Sequence, residues 1–502
     1  MTPATKPPPP FSIRNHPHLY EINTWVWLEQ LSVRLGRRVT LAEVPDSEWD
    51  ALAQLGFNVV WLMGVWLRSP ESRRITLEDP ANAAGYDAAL PGWEPDDVIA
   101  SPYSVRGYAP DPRIGTWAAL DGARKKLRAR GIALLLDFVG NHTALDHPWT
   151  REHPEFYVQG TPQQVEENPS AFYRVETSKG AVFLALAKDP YFPPWKEVAQ
   201  LNHFNPAMRA AQIADLRSIS GHCDGLRCDM AMLLLNDIFA NTWAPFLARE
   251  ARPATEFWSD AHAAVPNLAL LAEAYWGTEG RLLDLGFTFA YDKPLYDAVR
   301  DANPWGVHAC LSAPLDYQNH LARFLENHDE NRCAAVFPNE RLIAAGALLG
   351  TLPGMRFYYH GELEGNSIRL PITLRIPAAE PPNPVSAAFF QKILKITNED
   401  VFHSGKWSLL PIVSEGDDTS GNFVVYEWRS EKAWKIIAVN VADWGSQGRV
   451  RLADRVPPSG KYDFYDQLND VHYERSGEEL HSIGLFVRRE RFGAHLFDVK
   501  LV

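Results

Sequence analysis

Eight short apolar strand candidates alternate with helical segments, an irregular excursion follows the third, and strands alone continue beyond residue 400. These three observations predict an α/β chain. Eight β/α units point to a closed parallel barrel, with an open doubly wound sheet as the alternative. The excursion reads as an inserted domain after strand three, and the final segment as a C-terminal antiparallel β-sandwich.

Taken in order, the first strand is read at residues 19–22. Residues 47–55 place Trp49, Leu52 and Leu55 on one helical face, stopped by Gly56. Residues 58–63 are a continuous apolar run, the pattern of a strand covered on both faces. Trp66 and the Gly/Pro-rich stretch 69–102 read as a long loop. Thr116 can cap a helix with Trp117, Leu120 and Leu127 inward, ended by Gly131. The third strand, 132–136, closes on Asp137. Residues 143–200 hold many Pro, Gly and polar residues, and are too long for a plain connection.

Asn205 and Pro206 then supply a cap and a first-turn proline for a helix carrying Met208, Ile213, Leu216 and Ile219 inward. Later strands are read around Leu226 and at 268–272, 287–291, 322–325 and 355–359. The last helix, 385–396, has Phe389, Ile393 and Ile396 on a shared face. Strands at 422–428, 434–440 and 485–489 have no helix read between them. The expected boundaries are a disordered arm at 1–14, a barrel at 15–142 and 201–400, an insert at 143–200 and a sandwich at 401–502.

The chain has 502 residues, enough for roughly three domains and a large core without disulfides or metals. Its net charge is −13 and its acidic and basic residues are mixed, which speaks against nucleic acid as a partner. Cys223, Cys228, Cys310 and Cys333 have no framework or zinc spacing and read as buried thiols. The proline-rich start lacks the apolar core of an export signal, and no stretch has transmembrane length. The expectation is a cytoplasmic protein without a membrane partner.

In a β/α barrel, side chains just past the strand C-termini share one rim. Four polar clusters fall there: Asp137 with Asn141 and His142, Arg227 with Asp229, Glu273 with Tyr275 and Trp276, and Glu326-Asn327-His328-Asp329. Arg227 and Asp229, two apart on a strand, point to one face, where the guanidinium favours an ionised, aimed carboxylate. Alone, such a pair could simply hold a strand end together. Several carboxylates around one cavity cannot all ionise freely, and Glu273, among apolar and aromatic neighbours, is placed to keep a proton. A charged nucleophile beside a protonated acid is the arrangement that splits a glycosidic bond with retention. Asp329 can then stabilise the positive transition state, and His142 and His328 can hold sugar hydroxyls.

These segments resemble four short motifs of the α-amylase family of glycoside hydrolases (glycoside hydrolase family 13-like). Residues 137–142 resemble the first, 225–229 the second, 272–273 the third and 324–329 the fourth, in the family's order and spacing. The resemblance implies a (β/α)8 TIM barrel, an inserted domain and a C-terminal sandwich. It also implies Asp229 as nucleophile, Glu273 as acid/base and Asp329 as transition-state stabiliser. Tyr103 stands where the family places a tyrosine against the sugar being cleaved. Arg332 resembles an arginine of exo-acting glucosidases, although Ser104 stands where those enzymes carry an aspartate.

Trp66, Tyr103 and Trp276 are expected to line a pocket for short saccharides, with Arg227, His142, His328 and Arg332 completing the substrate contacts. Met232 and Leu233 replace the lysine and histidine that follow the nucleophile in many amylases, removing a usual calcium contact. Asn141 could still bind calcium, but no metal site or other cofactor is expected to be required. The expected partner is an α-linked oligosaccharide or glucan, hydrolysed by water or transferred to a sugar or small alcohol. The competing reading is a non-catalytic scaffold on the same fold, whose relatives typically lose the catalytic carboxylates.

Overall fold

The computed structural model describes residues 13–247 and 251–502. Eight parallel strands close a barrel: β1 (His18–Asn23), β2 (Val59–Met63), β3 (Ala133–Val139), β4 (Gly225–Asp229), β5 (Ala269–Ala272), β6 (Phe289–Tyr291), β7 (Leu321–Phe324) and β8 (Met355–Tyr359). Each lies beside its predecessor, and β8 pairs with β1 to complete the ring. The open-sheet alternative is thereby excluded. Every residue of β2 and β3 is buried, as a strand enclosed by helices outside and packed side chains inside requires. Gly225 starts β4 because the chains converge there: a Cβ on it would meet Ala269 O at 2.5 Å.

The helical layer corrects the sequence reading in two places. Thr24–Leu35 is a helix beginning immediately after β1, capped by Asn23, whose side chain accepts from Val26 N–H. Thr24 to Leu28 are all buried, so the segment lacks the polar face that reveals a helix by periodicity. The stretch 69–102 is not one long loop. It contains helices Pro70–Glu78 and Pro80–Ala89, each with proline in its first turn and an N-cap, Ser69 or Asp79. Trp66 itself lies in a short strand, Trp66–Arg68, paired with Val105–Pro110.

After β3 the chain makes two small antiparallel sheets, His142–Ala144 with Val198–Gln200 and Phe172–Thr177 with Gly180–Ala185. Beyond the barrel, a six-stranded and a three-stranded antiparallel sheet stack. They include strands Lys461–Asp466, Val471–Ser476 and Ala494–Leu501 that the sequence reading passed over, and a short helix Gly477–Ser482 among them. One face of the larger sheet shares the barrel's core: Val424, Tyr426 and Trp428 pack with it, and Trp428 Nε1 donates to Thr351 O at 2.6 Å. Of the arm expected at 1–14, residues 1–12 lie outside the described residues, while Arg14 pairs with Asp400. All four cysteines are free, three of them buried and Cys310 half-buried. Among the described residues no helix is long and apolar enough to cross a membrane.

Candidate active site

The barrel's closing geometry brings the ends of β1, β3, β4, β5 and β7 to one mouth. Arg227 on β4 is fully buried there and serves two carboxylates at once. Its Nη1 lies 2.7 Å from Asp229 Oδ1 and its Nη2 lies 2.8 Å from Glu273 Oε2. The guanidinium is walled by the rings of Trp61, Tyr103 and Tyr291, 5.0–5.8 Å from their centroids. These aromatic faces are electron-rich and tolerate a buried cation.

Glu273 receives two further donors, Met230 N–H at 2.6 Å on Oε2 and Tyr275 Oη at 2.8 Å on Oε1. Burial nevertheless dominates and, with Asp229 and Asp329 nearby, pushes its pKa up to about 7 despite Arg227. Burial also raises Asp229, against the pull of Arg227. Asp329 is different. Its side chain is 42% exposed to the cavity, and His328 Nε2 stands 3.0 Å from Oδ2. Burial alone would raise Asp329, but the His328 cation outweighs it and holds the carboxyl below its usual range. Asn327 Oδ1 accepts from the Asp329 and Glu330 N–H groups, which turns the backbone after β7 and aims Asp329 inward.

Asp137 sits one strand away, with Oδ1 on Trp61 Nε1 and Oδ2 on Gly64 N–H, and burial pushes it up to about 6. Tyr103 stacks on His328 with centroids 5.2 Å apart, and its Oη is 2.7 Å from His328 Nε2. His142 packs against Tyr103 and Trp195. Its Nε2 meets Tyr103 O at 3.2 Å and its Nδ1 meets Asn141 Nδ2 at 3.3 Å, so both ring nitrogens have protein partners. It fixes the Tyr103 backbone where the sequence reading had it holding a sugar hydroxyl. Trp276 is 43% exposed at the rim, edge-on to Tyr191 from the insert, with centroids 5.0 Å apart.

Two expected contacts are not brought to the cavity. Trp66 is buried against Tyr108 and Trp117, and its Nε1 is bound to Asp137 O at 2.8 Å. Arg332 turns away to Glu326 at 2.9 Å and to His360 O at 3.0 Å. Residue type alone gave no direction for either side chain. Conversely, Glu21 on β1 went unnoticed: it is fully buried, with Oε1 2.6 Å from His328 Nδ1. The available signal was a lone acid inside an apolar strand, which needs a partner to be tolerated there.

Asn141, the residue the sequence leaves open to calcium, accepts on Oδ1 from Gln200 Nε2 at 2.9 Å. Among the described residues no group of three or more His, Cys, Asp or Glu could hold a metal ion.

The family model described as alpha amylase, catalytic domain, matches residues 47–291. Over that span the chain is similar to α-amylase catalytic domains. Asp229 and Glu273 lie inside the matched span and Asp329 lies beyond it. Alpha-amylase 3 of Dictyoglomus thermophilum is 26% identical over 287 residues, covering 52% of this chain and 53% of that protein. Trehalose-6-phosphate hydrolase of Escherichia coli is 32% identical over 152 residues, covering 27% and 26%. The chain thus matches about half the length, or less, of these curated relatives. Among solved structures, the maltogenic α-amylase AmyB of Thermotoga neapolitana superposes with a TM-score of 0.67 at 18% identity, covering 97% of this chain and 99% of that one. An acarbose complex of the Geobacillus thermoleovorans α-amylase gives 0.64 at 18% identity, covering 97% and 98%. At such identity the two structures speak to the α-amylase fold alone.

Proposed function

We propose that this protein cleaves α-glucosidic bonds of short oligosaccharides or α-glucans by retaining double displacement. The observation that carries this reading is the single Arg227 guanidinium shared by Asp229 and Glu273. It favours the close carboxylate pair of the retaining class. Asp229 attacks the anomeric carbon as the bond to the leaving oxygen breaks, and Glu273 gives that oxygen its proton. The Glu273 carboxylate then takes a proton from an incoming hydroxyl, whose oxygen bonds the anomeric carbon and releases Asp229. Asp329, open to the cavity and held ionised, opposes the positive charge of both transition states.

Water as the incoming group gives hydrolysis; a sugar or small alcohol gives transfer. The exposed Trp276–Tyr191 pair supports a site for short saccharides, because it offers a stacking edge where the leaving group or acceptor would sit. Relatives named for trehalose-6-phosphate hydrolysis, palatinase and trehalose synthase/amylase activity support the same scale of substrate. The engaged Asn141 supports activity without bound calcium. The test is time-resolved NMR of the protein with maltose, maltotriose, trehalose, sucrose, isomaltose and soluble starch, with and without acceptors. First release of the α-anomer, or an α-linked transfer product, is expected; first release of the β-anomer would overturn retention.

A further inference from the structure

Glu21 has no part in the chemistry above, yet it is fully buried. Its Oε1 lies 2.6 Å from His328 Nδ1. The opposite ring nitrogen, Nε2, lies 2.7 Å from Tyr103 Oη and 3.0 Å from Asp329 Oδ2. One imidazole therefore joins a carboxylate outside the reaction to two groups that face it. We propose that Glu21 is a positioning residue: by fixing the protonation of His328 it decides which way the Tyr103 hydroxyl is directed and keeps Asp329 ionised. The catalytic consequence rests on the role given to Asp329 above.

A doubly protonated ring donates Nδ1–H to Glu21 and shares Nε2–H between Asp329 Oδ2 and Tyr103 Oη. Tyr103 then accepts, which frees its own proton for a sugar oxygen. A neutral ring with its one proton on Nδ1 has a bare Nε2. Tyr103 must then donate to it, and the lone pair of Nε2 faces the Asp329 carboxylate. The charge on the ring thus sets both contacts at once.

The surroundings favour the charged ring. Facing it are Glu21 from β1, Asp137 from β3, Asp229 and Arg227 from β4, Tyr103 above it and Asp329 on its own segment, with Trp61 edge-on at 5.5 Å. Burial opposes the charge, but Asp329 and Glu21 more than offset it and lift His328 to about 10. Glu21 Oε2 has no hydrogen-bond partner, so an amide nitrogen placed there displaces no existing bond. Glu21→Gln therefore removes the charge while leaving an acceptor for Nδ1–H.

The experiment is 15N NMR of histidine-labelled protein, with His328→Gln to assign the ring. Wild type is expected to show both His328 nitrogens protonated from about pH 5.5 to 8.5, and Glu21→Gln a bare Nε2 at about pH 8. Glu21→Asp keeps the charge and should keep the doubly protonated ring. On any α-glucoside that wild type turns over, Glu21→Gln should lower kcat about tenfold or more near pH 8, less near pH 5.5, with KM changed under about threefold. In the His328→Gln background the Glu21→Gln change should cost nothing more. An unaltered His328 titration in Glu21→Gln, equal losses in the Gln and Asp variants, or additive losses in the double variant would overturn the proposal. If wild type turns over no α-glucoside, the enzymatic reading fails, while the NMR arm still decides whether Glu21 controls the ring.

Discussion

The N–H of Met230 donates to Glu273 Oε2 at 2.6 Å from a left-handed backbone, φ 42°. A non-glycine residue pays for that conformation, so the surrounding structure must hold it. The next N–H, of Ala231, meets Glu273 O at 3.0 Å, and Glu273 N–H meets Cys228 O at 3.1 Å. The segment leaving Asp229 is thus laced to Glu273 through main chain as well as through Arg227. The spacing of nucleophile and acid is fixed by backbone, which is stiffer than a pair of side chains.

Asp229→Asn should lower kcat by about 10⁴-fold or more, because an amide cannot form the ester to the anomeric carbon. Its melting temperature should stay within a few degrees of wild type, which calorimetry would check. Near wild-type turnover in a folded variant would remove Asp229 from the nucleophile's place.

Glu273, with a pKa near 7, carries its proton below neutrality and loses it above. As general acid it should impose a fall in kcat/KM as pH rises through about 7. In Glu273→Gln that alkaline limb should vanish, with far larger losses on poor leaving groups than on activated aryl glucosides. Equal losses on both substrate types would argue against the acid role.

Arg227→Met tests the shared guanidinium. It leaves Asp229 and Glu273 buried without their cation, and breaking one partner of a buried ion pair costs about 3–5 kcal/mol. Chemical denaturation should register the loss, and raising pH should worsen it as both carboxyls are forced to ionise.

Trp66 and Trp276 should separate cleanly. Trp66→Phe loses a buried bond to Asp137 O and some packing, so stability should fall by about 1–3 kcal/mol while KM holds. Trp276→Ala removes a half-exposed ring at the rim, so KM should rise about tenfold with the melting temperature unchanged. Denaturation curves and saturation kinetics on both variants decide this.

Chelation should leave activity within about twofold, since Asn141 spends its oxygen on Gln200. Loss restored only by calcium would show that this amide pair opens to take the ion.

The barrel was legible because strands such as β2 and the start of β3 are continuous apolar runs, a pattern that two-sided burial explains. The helix after β1 was hidden by the same property: buried on every side in its first turns, it reads as more strand. The helices of residues 70–89 were hidden by Ser69-Pro70 and Asp79-Pro80, pairs that serve turns and helix starts equally well. At the site, Arg227, Asp229, Glu273 and Asp329 could be placed together because strand ends are fixed in space by the barrel's closure. Trp66, His142 and Arg332 sit on or beside loops, where direction depends on packing that no spacing encodes. Glu21 depended on a neighbour 307 positions away along the chain.

Because Val424, Tyr426 and Trp428 are embedded in the same apolar mass as the barrel, the sandwich is no detachable appendage. A version cut near residue 400 would bare that mass to water and should aggregate, and the intact protein should melt as one cooperative unit.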